Sequence, residues 1–183
     1  MIPDNFNLGR ACIFIDGANM YETIKTVRFM MDFDKFRDYW MKKVPGLIRL
    51  NYYVAIPDNP QRYSKIIPIT DRLAYNGFNV VARHRREYVD DNGERHHKGD
   101  VDIDIAVDML EMAPTLDTII LFTGDSDFTR AIDAVQRKGV RVIVVSSRVP
   151  NQYTNNPIVA ESLIKQADMF IDLADICENF EKE

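Results

Sequence analysis

The chain has 183 residues and a mass of 21.2 kDa, the size of one domain on a scale of roughly 150 residues each, so a single domain spanning 1–183 is expected. Its 46% hydrophobic and 28% charged residues exclude a low-complexity, collagen-like or disordered chain, and no apolar run reaches the roughly 18 residues of a membrane-spanning helix. The net charge of -5 is unevenly placed: Asp100 to Asp127 holds eight acidic residues and no Lys or Arg, leaving 23 basic and 20 acidic residues elsewhere, so the acidic balance does not exclude a nucleic-acid partner.

Short apolar runs rich in β-branched residues alternate with longer amphipathic stretches, the pattern of an α/β sheet. The first strand is expected over 11–15; it ends in Asp16-Gly17-Ala18-Asn19 and leads to a helix near 20–27. A second helix follows over 33–43 and a strand over 47–56. Asn59-Pro60 opens a helix that runs, disturbed at Pro68, to Asn76-Gly77, before a strand over 78–82. Residues 83–98 (RHRREYVDDNGERHHK) change character, and Asn92-Gly93 signals a protruding hairpin. The remainder reads as helix 101–113, strand 118–122, helix 127–138 closed by Gly139, strand 140–145, polar loop 146–157, helix 159–167 and strand 169–172. The two cysteines, Cys12 and Cys177, support neither a disulfide framework nor a thiolate metal site, and a reducing cytoplasm suits them.

Ligands of parallel α/β sheets collect beyond the carboxyl ends of the strands. Asp16 and Asp125 both follow apolar strands directly, with Gly17 and Gly124 supplying tight turns beside them. Taken singly, Asp125 is a helix cap and Asp127 a charge at a helix's positive end; together with Asp16 they suit a shared site. On the helix from 101, Asp100, Asp104, Asp108 and Glu111 form one stripe, most simply a solvated face. Asp102 instead aligns with Ala106, Met109 and Ala113 on the apolar face, where a carboxylate needs a partner. Asp102 is therefore the first helical candidate and Asp104 the second.

Convergence of Asp16, Asp102, Asp125 and Asp127 would require a counter-charge, because two unit charges 4 Å apart repel by about 4 kcal/mol even at an effective dielectric of 20. Lys98 is the nearest cation in sequence and cannot balance four carboxylates, whereas Mg²⁺ or Mn²⁺ held by carboxylates and waters can. Asn19 could orient a water or a carboxylate, and Ser126 could donate to a phosphate oxygen. Arg83, Arg85 and Arg86 make the hairpin a candidate phosphate-contacting arm for RNA; the plainer alternative is an exposed hairpin neutralised by Glu87, Asp90, Asp91 and Glu94.

The blocks IFIDGAN (13–19), KGDVDIDIAVDML (98–110) and LFTGDSDF (121–128), in that order, resemble the NYN domain of LabA-like proteins within the PIN-like nuclease superfamily, and the resemblance continues through KGVRVIVV and ADMFIDL. It implies a three-layer Rossmann-like sandwich with a mainly parallel central sheet, strand order near 3-2-1-4-5, and a metal-dependent ribonuclease site at the carboxyl edge. By motif it assigns the catalytic and metal-holding roles to Asp16, Asp102, Asp125 and Asp127, with Asn19 supporting. The function expected is thus Mg²⁺- or Mn²⁺-dependent hydrolysis of RNA, with single-stranded RNA as partner; a homo-oligomer is left open. The alternatives are a non-catalytic RNA- or protein-binding regulator that retains the acidic site, and a haloacid-dehalogenase-like phosphatase. The latter class expects a second Asp two residues after its first-strand nucleophile, where this chain has Ala18.

Overall fold

The computed structural model describes residues 7–57, 60–89, 95–98 and 101–183. Strand β1 (Ala11–Asp16) is buried along its whole length, as a strand must be when both faces of its sheet are covered. It leads into α1 (Gly17–Val27) and α2 (Phe33–Lys43), then β2 (Leu47–Pro57), α3 (Pro60–Tyr75) and β3 (Phe78–Val89). β4 (Arg95–Lys98) precedes α4 (Asp102–Met112) and β5 (Thr118–Phe122); α5 (Thr129–Gln136), β6 (Arg141–Ser146), α6 (Glu161–Gln166) and β7 (Met169–Asp172) complete the order. Six parallel strands run β3-β2-β1-β5-β6-β7, and β4 pairs antiparallel with β3. With the hairpin strand left out of the count, this is the expected order extended by one strand. Chain order reverses at β1, between β2 and β5, which is where a crevice at the carboxyl edge forms.

Period-2 alternation divides the core. Ile13 and Ile15 belong with Met20, Phe36, Trp40, Phe122 and Phe180 on one face, while Cys12 and Phe14 join Tyr53, Ile105, Met109, Ile132 and Leu163 on the other. On the first face Phe36 lies 5.3 Å from both Phe122 and Phe180, ring centre to ring centre, and Trp40 lies 5.6 Å from Phe122. These rings tie α2 and the chain's last turn to the middle of the sheet.

Three elements depart from the expected bounds for local reasons. α1 starts at Gly17, three residues early, because Asp16 caps it. The helix expected over 127–138 is split into a 3₁₀ turn (Ser126–Phe128), capped by Asp125, and α5 proper. β3 does not stop at Ala82: it pairs with β2 as far as Arg85, then carries on alone into the antiparallel register that begins with Arg86 opposite Lys98. The hairpin thus projects past the last β2 pair, and its turn at 90–94 lies outside the described residues. Among the described residues no helix is long and apolar enough to cross a membrane.

Truncating Phe36 to Ala should lower unfolding stability by about 3–5 kcal/mol, as for other fully buried aromatics. Tyr75→Ala, at a position 92% exposed, should change it by about 0.5 kcal/mol or less; paired urea titrations compare the two.

Candidate active site at the carboxyl edge

Asp16 closes β1 and is only 6% exposed. Its Oδ1 accepts the backbone N–H groups of Ala18 and Asn19, both at 3.1 Å, which are two of the donors a helix start leaves unpaired. Its Oδ2 accepts the Thr123 hydroxyl at 3.2 Å. Thr123 follows the last residue of β5, the strand parallel to β1, so one carboxylate ties together the end of β1, the start of α1 and the end of β5. Burial pushes the Asp16 carboxyl above the usual range, the three hydrogen bonds pull it down, and the charge of Asp125 pushes it up again.

Gly17 and Gly124 are required by close approach. A Cβ on Gly17 would sit 2.6 Å from the Tyr53 carbonyl oxygen, and one on Gly124 would sit 2.5 Å from the carbonyl oxygen of Ile158. The Gly124 N–H donates to Asn19 Oδ1 at 2.8 Å, and the Asp125 N–H reaches the Thr123 hydroxyl at 3.3 Å. Asn19 and Thr123 therefore hold the turn that carries Asp125. Asp125 in turn accepts the N–H of Asp127 at 2.9 Å, so it does act as a cap. Ser126 and Asp127 are exposed beside it.

The helical candidates fall differently from the expectation. Val101, Ile105 and Met109 make the buried stripe of α4, and Asp102, one residue beyond the start of that stripe, is half-buried at the first helical position. The stripe of Asp104 and Asp108 is not a solvated face. Asp104 receives both Nε and an amino group of Arg83, at 2.8 and 2.9 Å, and Asp108 accepts the Tyr53 hydroxyl at 2.7 Å. The reason is that β2 and β3 extend beneath this flank of α4 and supply donors to it. Arg83 holds the Asp104 carboxyl below its ordinary value. The described side chains thus include Arg83 of the basic arm, already paired; those of Arg85, Arg86 and Lys98 lie outside the described part.

The potential ligand atoms at this edge are oxygens, from the Asp16 and Asp125 carboxylates and the Thr123 hydroxyl, the chemistry a hard divalent cation prefers. Among the described residues no three Asp, Glu, His or Cys side chains gather into a ready metal-holding group. Two neighbouring carboxylates do fit Mg²⁺, which is held by one or two carboxylates together with waters and substrate phosphates. Thr123 is the site residue that sequence reasoning missed. Its signal was its place between the strand LF and the turn GDSD.

A parallel α/β sandwich whose reversal point carries an acidic carboxyl edge is the architecture of the PIN-like nucleases. The chain belongs to the NYN domain family of that superfamily, whose model matches residues 10–174. It is similar to the low amplitude and bright protein LabA of Synechococcus elongatus, 29% identical over 97% of this chain and 90% of that protein. An uncharacterized protein of Methanocaldococcus jannaschii is 29% identical over 88% of this chain and 57% of its own length. The crystal structure of a protein of unknown function from Vibrio parahaemolyticus has the same fold, with a TM-score of 0.70 and 24% identity over 100% of both chains.

Two measurements follow from the tyrosines behind the site. Removing the Tyr53 hydroxyl (Tyr53→Phe) strips Asp108 of its donor and should cost about 1.5–3 kcal/mol in a urea titration, the range for a hydrogen bond to a charged group. Tyr52 is pushed up to about 12 by burial and by the charge of Asp16, above the ordinary value of about 10. The unfolded chain therefore loses this proton first, so the stability it contributes is complete below pH ~10 and is lost as pH rises from there through 12. Tyr52→Phe should flatten the decline in urea midpoint between pH ~10 and ~12 relative to wild type.

Proposed function

We propose that this NYN domain is a divalent-metal-dependent ribonuclease that hydrolyses single-stranded RNA at the carboxyl edge of the sheet. Asp16 carries the reading: a carboxylate kept buried at a strand end, raised by burial and by a second carboxylate, is a costly arrangement that a structural cap alone does not require. Asp32, a half-buried cap on α2, makes the same two kinds of backbone contact, and there the hydrogen bond from Lys35 N–H, with that from Asp34, holds the carboxyl below its ordinary value. Members of the NYN family generally bind RNA, which supplies the substrate class.

Asp16 and Asp125 would hold Mg²⁺ or Mn²⁺, with Asp102 and Asp127 as further ligands directly or through water. The bound ion would activate a water and stabilise charge on the phosphoryl oxygens. The chain's own contribution is placement. Thr123 and the N–H groups of Ala18 and Asn19 fix the Asp16 carboxylate; Asn19 fixes the Gly124 turn and with it Asp125. Ser126 is a donor for a phosphate oxygen, Lys98, Arg85 and Arg86 contact the RNA backbone, and Arg83 steadies Asp104 at the start of α4. The alternative from the sequence, an RNA-binding regulator whose acidic edge does not turn over, shares these contacts and is separated from the ribonuclease by turnover.

The test is incubation of labelled single-stranded RNA with purified protein in Mn²⁺ and then in EDTA. Cleavage should require the metal and should fall by about 100-fold or more in Asp16→Asn and in Asp125→Asn, the order lost when one preorganised electrostatic contact is removed. RNA that is bound yet left intact with Mn²⁺ would favour the regulator; cleavage that persists in EDTA, or that both variants retain at the wild-type rate, would overturn the metal-dependent mechanism.

A further inference from the structure

The loop 147–160 leaves the carboxyl end of β6 and returns to the candidate site, where the Ala160 N–H donates to the Gly124 carbonyl at 2.9 Å. Between those ends it closes a tight turn. Pro150 and Pro157 form an antiparallel bridge. The Asn151 N–H donates to the Asn156 carbonyl and the Asn155 N–H to the Asn151 carbonyl, both at 2.8 Å, with Asn155 in the left-handed region at φ 56°. The Asn151 side chain also accepts the N–H of Tyr153 at 2.9 Å. This hydrogen-bonded turn carries Tyr153 with 80% of its surface exposed. A large ring held out by an ordered turn, when nothing in the fold uses it for packing, is the feature of a stacking platform.

Opposite stands α1, which starts at Gly17 with Asp16 as its cap. Tyr21 on its outer face is 61% exposed, Lys25 lies one turn further with its ammonium 5.4 Å from the Tyr21 ring centre, and Arg28 closes the helix in the left-handed region at φ 66°. Lys25, Arg28 and Tyr153 line a shared cleft with Glu22, Thr26 and Asn151. Glu22 takes a 3.3 Å contact from Lys25, but an exposed pair of this kind is worth little and yields to a phosphate. One wall of the cleft is thus the helix that Asp16 caps, and the other is the loop hydrogen-bonded to Gly124 beside Asp125.

We propose that the cleft between α1 and the Pro150–Pro157 turn is a single-stranded RNA track leading to the carboxyl edge, with Tyr21 and Tyr153 stacking on bases and Lys25 and Arg28 contacting phosphates. Aromatic faces combined with cations are the equipment of single-strand binding. This inference rests on the ribonuclease reading for its choice of RNA as occupant.

The experiment is a fluorescence-anisotropy titration of a labelled oligoribonucleotide with the full chain in EDTA, where cleavage does not interfere. Tyr21→Ala combined with Tyr153→Ala should weaken binding about tenfold or more, while the corresponding Phe pair, which keeps both ring faces, should bind as wild type does. Lys25→Ala with Arg28→Gln should make the salt dependence shallower by about 0.7 in log–log slope per lost contact. Wild-type binding with an unchanged Ala pair would overturn the track and leave the ribonuclease reading standing; so would a Phe pair as weak as the Ala pair. Wild type that binds no RNA in EDTA would overturn the track, and the Mn²⁺ cleavage assay decides the ribonuclease reading separately.

Discussion

One buried carboxylate organises the functional end of the molecule. Asp16 satisfies two orphan N–H groups of α1 and a hydroxyl at the end of β5, so the point where chain order reverses is bound by a single side chain. Burial raises the Asp16 carboxyl and is the larger effect, while those three donors favour its charged form and pull it back down. The same donors leave the charge exposed to influence from Asp125, which arrives on the neighbouring strand's turn. Capping and charge concentration are therefore one device: the helix start that needs Asp16 also places it beside a second acid.

The acid pair is supported from behind by contacts that reach across the sheet. Tyr53 lies opposite Asp16 in the β1–β2 register, stacks on Phe14 with ring centres 6.3 Å apart and donates to Asp108 on α4. Arg83, two positions further along the next strand's register, grips Asp104 one turn nearer the helix start. α4 is thus pinned at two levels on its charged flank as well as by the apolar stripe of Val101, Ile105 and Met109. Its first residue, Asp102, is set by that pinning and not by a cap, since α4 begins without any side-chain cap hydrogen bond.

What could be read from the chain and what could not separates along the range of the interaction involved. β1, β5 and β6 were legible because strands covered on both faces must be apolar throughout, and the turns after β1 and β5 because Asp and Gly there follow strand ends in sequence. The capped start of α1 at Gly17 is the same local signal. The partners of Asp104 and Asp108 were not legible: periodicity gives the face of a helix on which a residue falls, but whether that face meets water depends on how far β2 and β3 run beneath it, and β3 was expected to end at Ala82. Thr123 escaped notice for a similar reason, since its partner Asp16 lies 107 residues away. The roles proposed for Asp16, Asp102, Asp125 and Asp127 come from motif resemblance, and the charge of Asp125 acting on Asp16 is a counterpart in the local electrostatics.

The split of charge along the chain acquires a physical sense from this architecture. The acidic segment from Asp100 to Asp127 runs down α4 and back up β5, so its ends, Asp102 and the Asp125–Asp127 turn, both arrive at the carboxyl edge while its middle lies at the opposite end. The cations proposed to meet a polyanion come from another element, Lys25 and Arg28 of α1, while Arg83 of β3 is paired with Asp104. Acids on the elements that end at the reversal point and bases on a helix that flanks it would suit a divalent cation and a phosphate chain together, although the molecule as a whole is acidic. A net charge taken over the whole sequence averages away that separation, which is why its sign says less about the partner than the edge does.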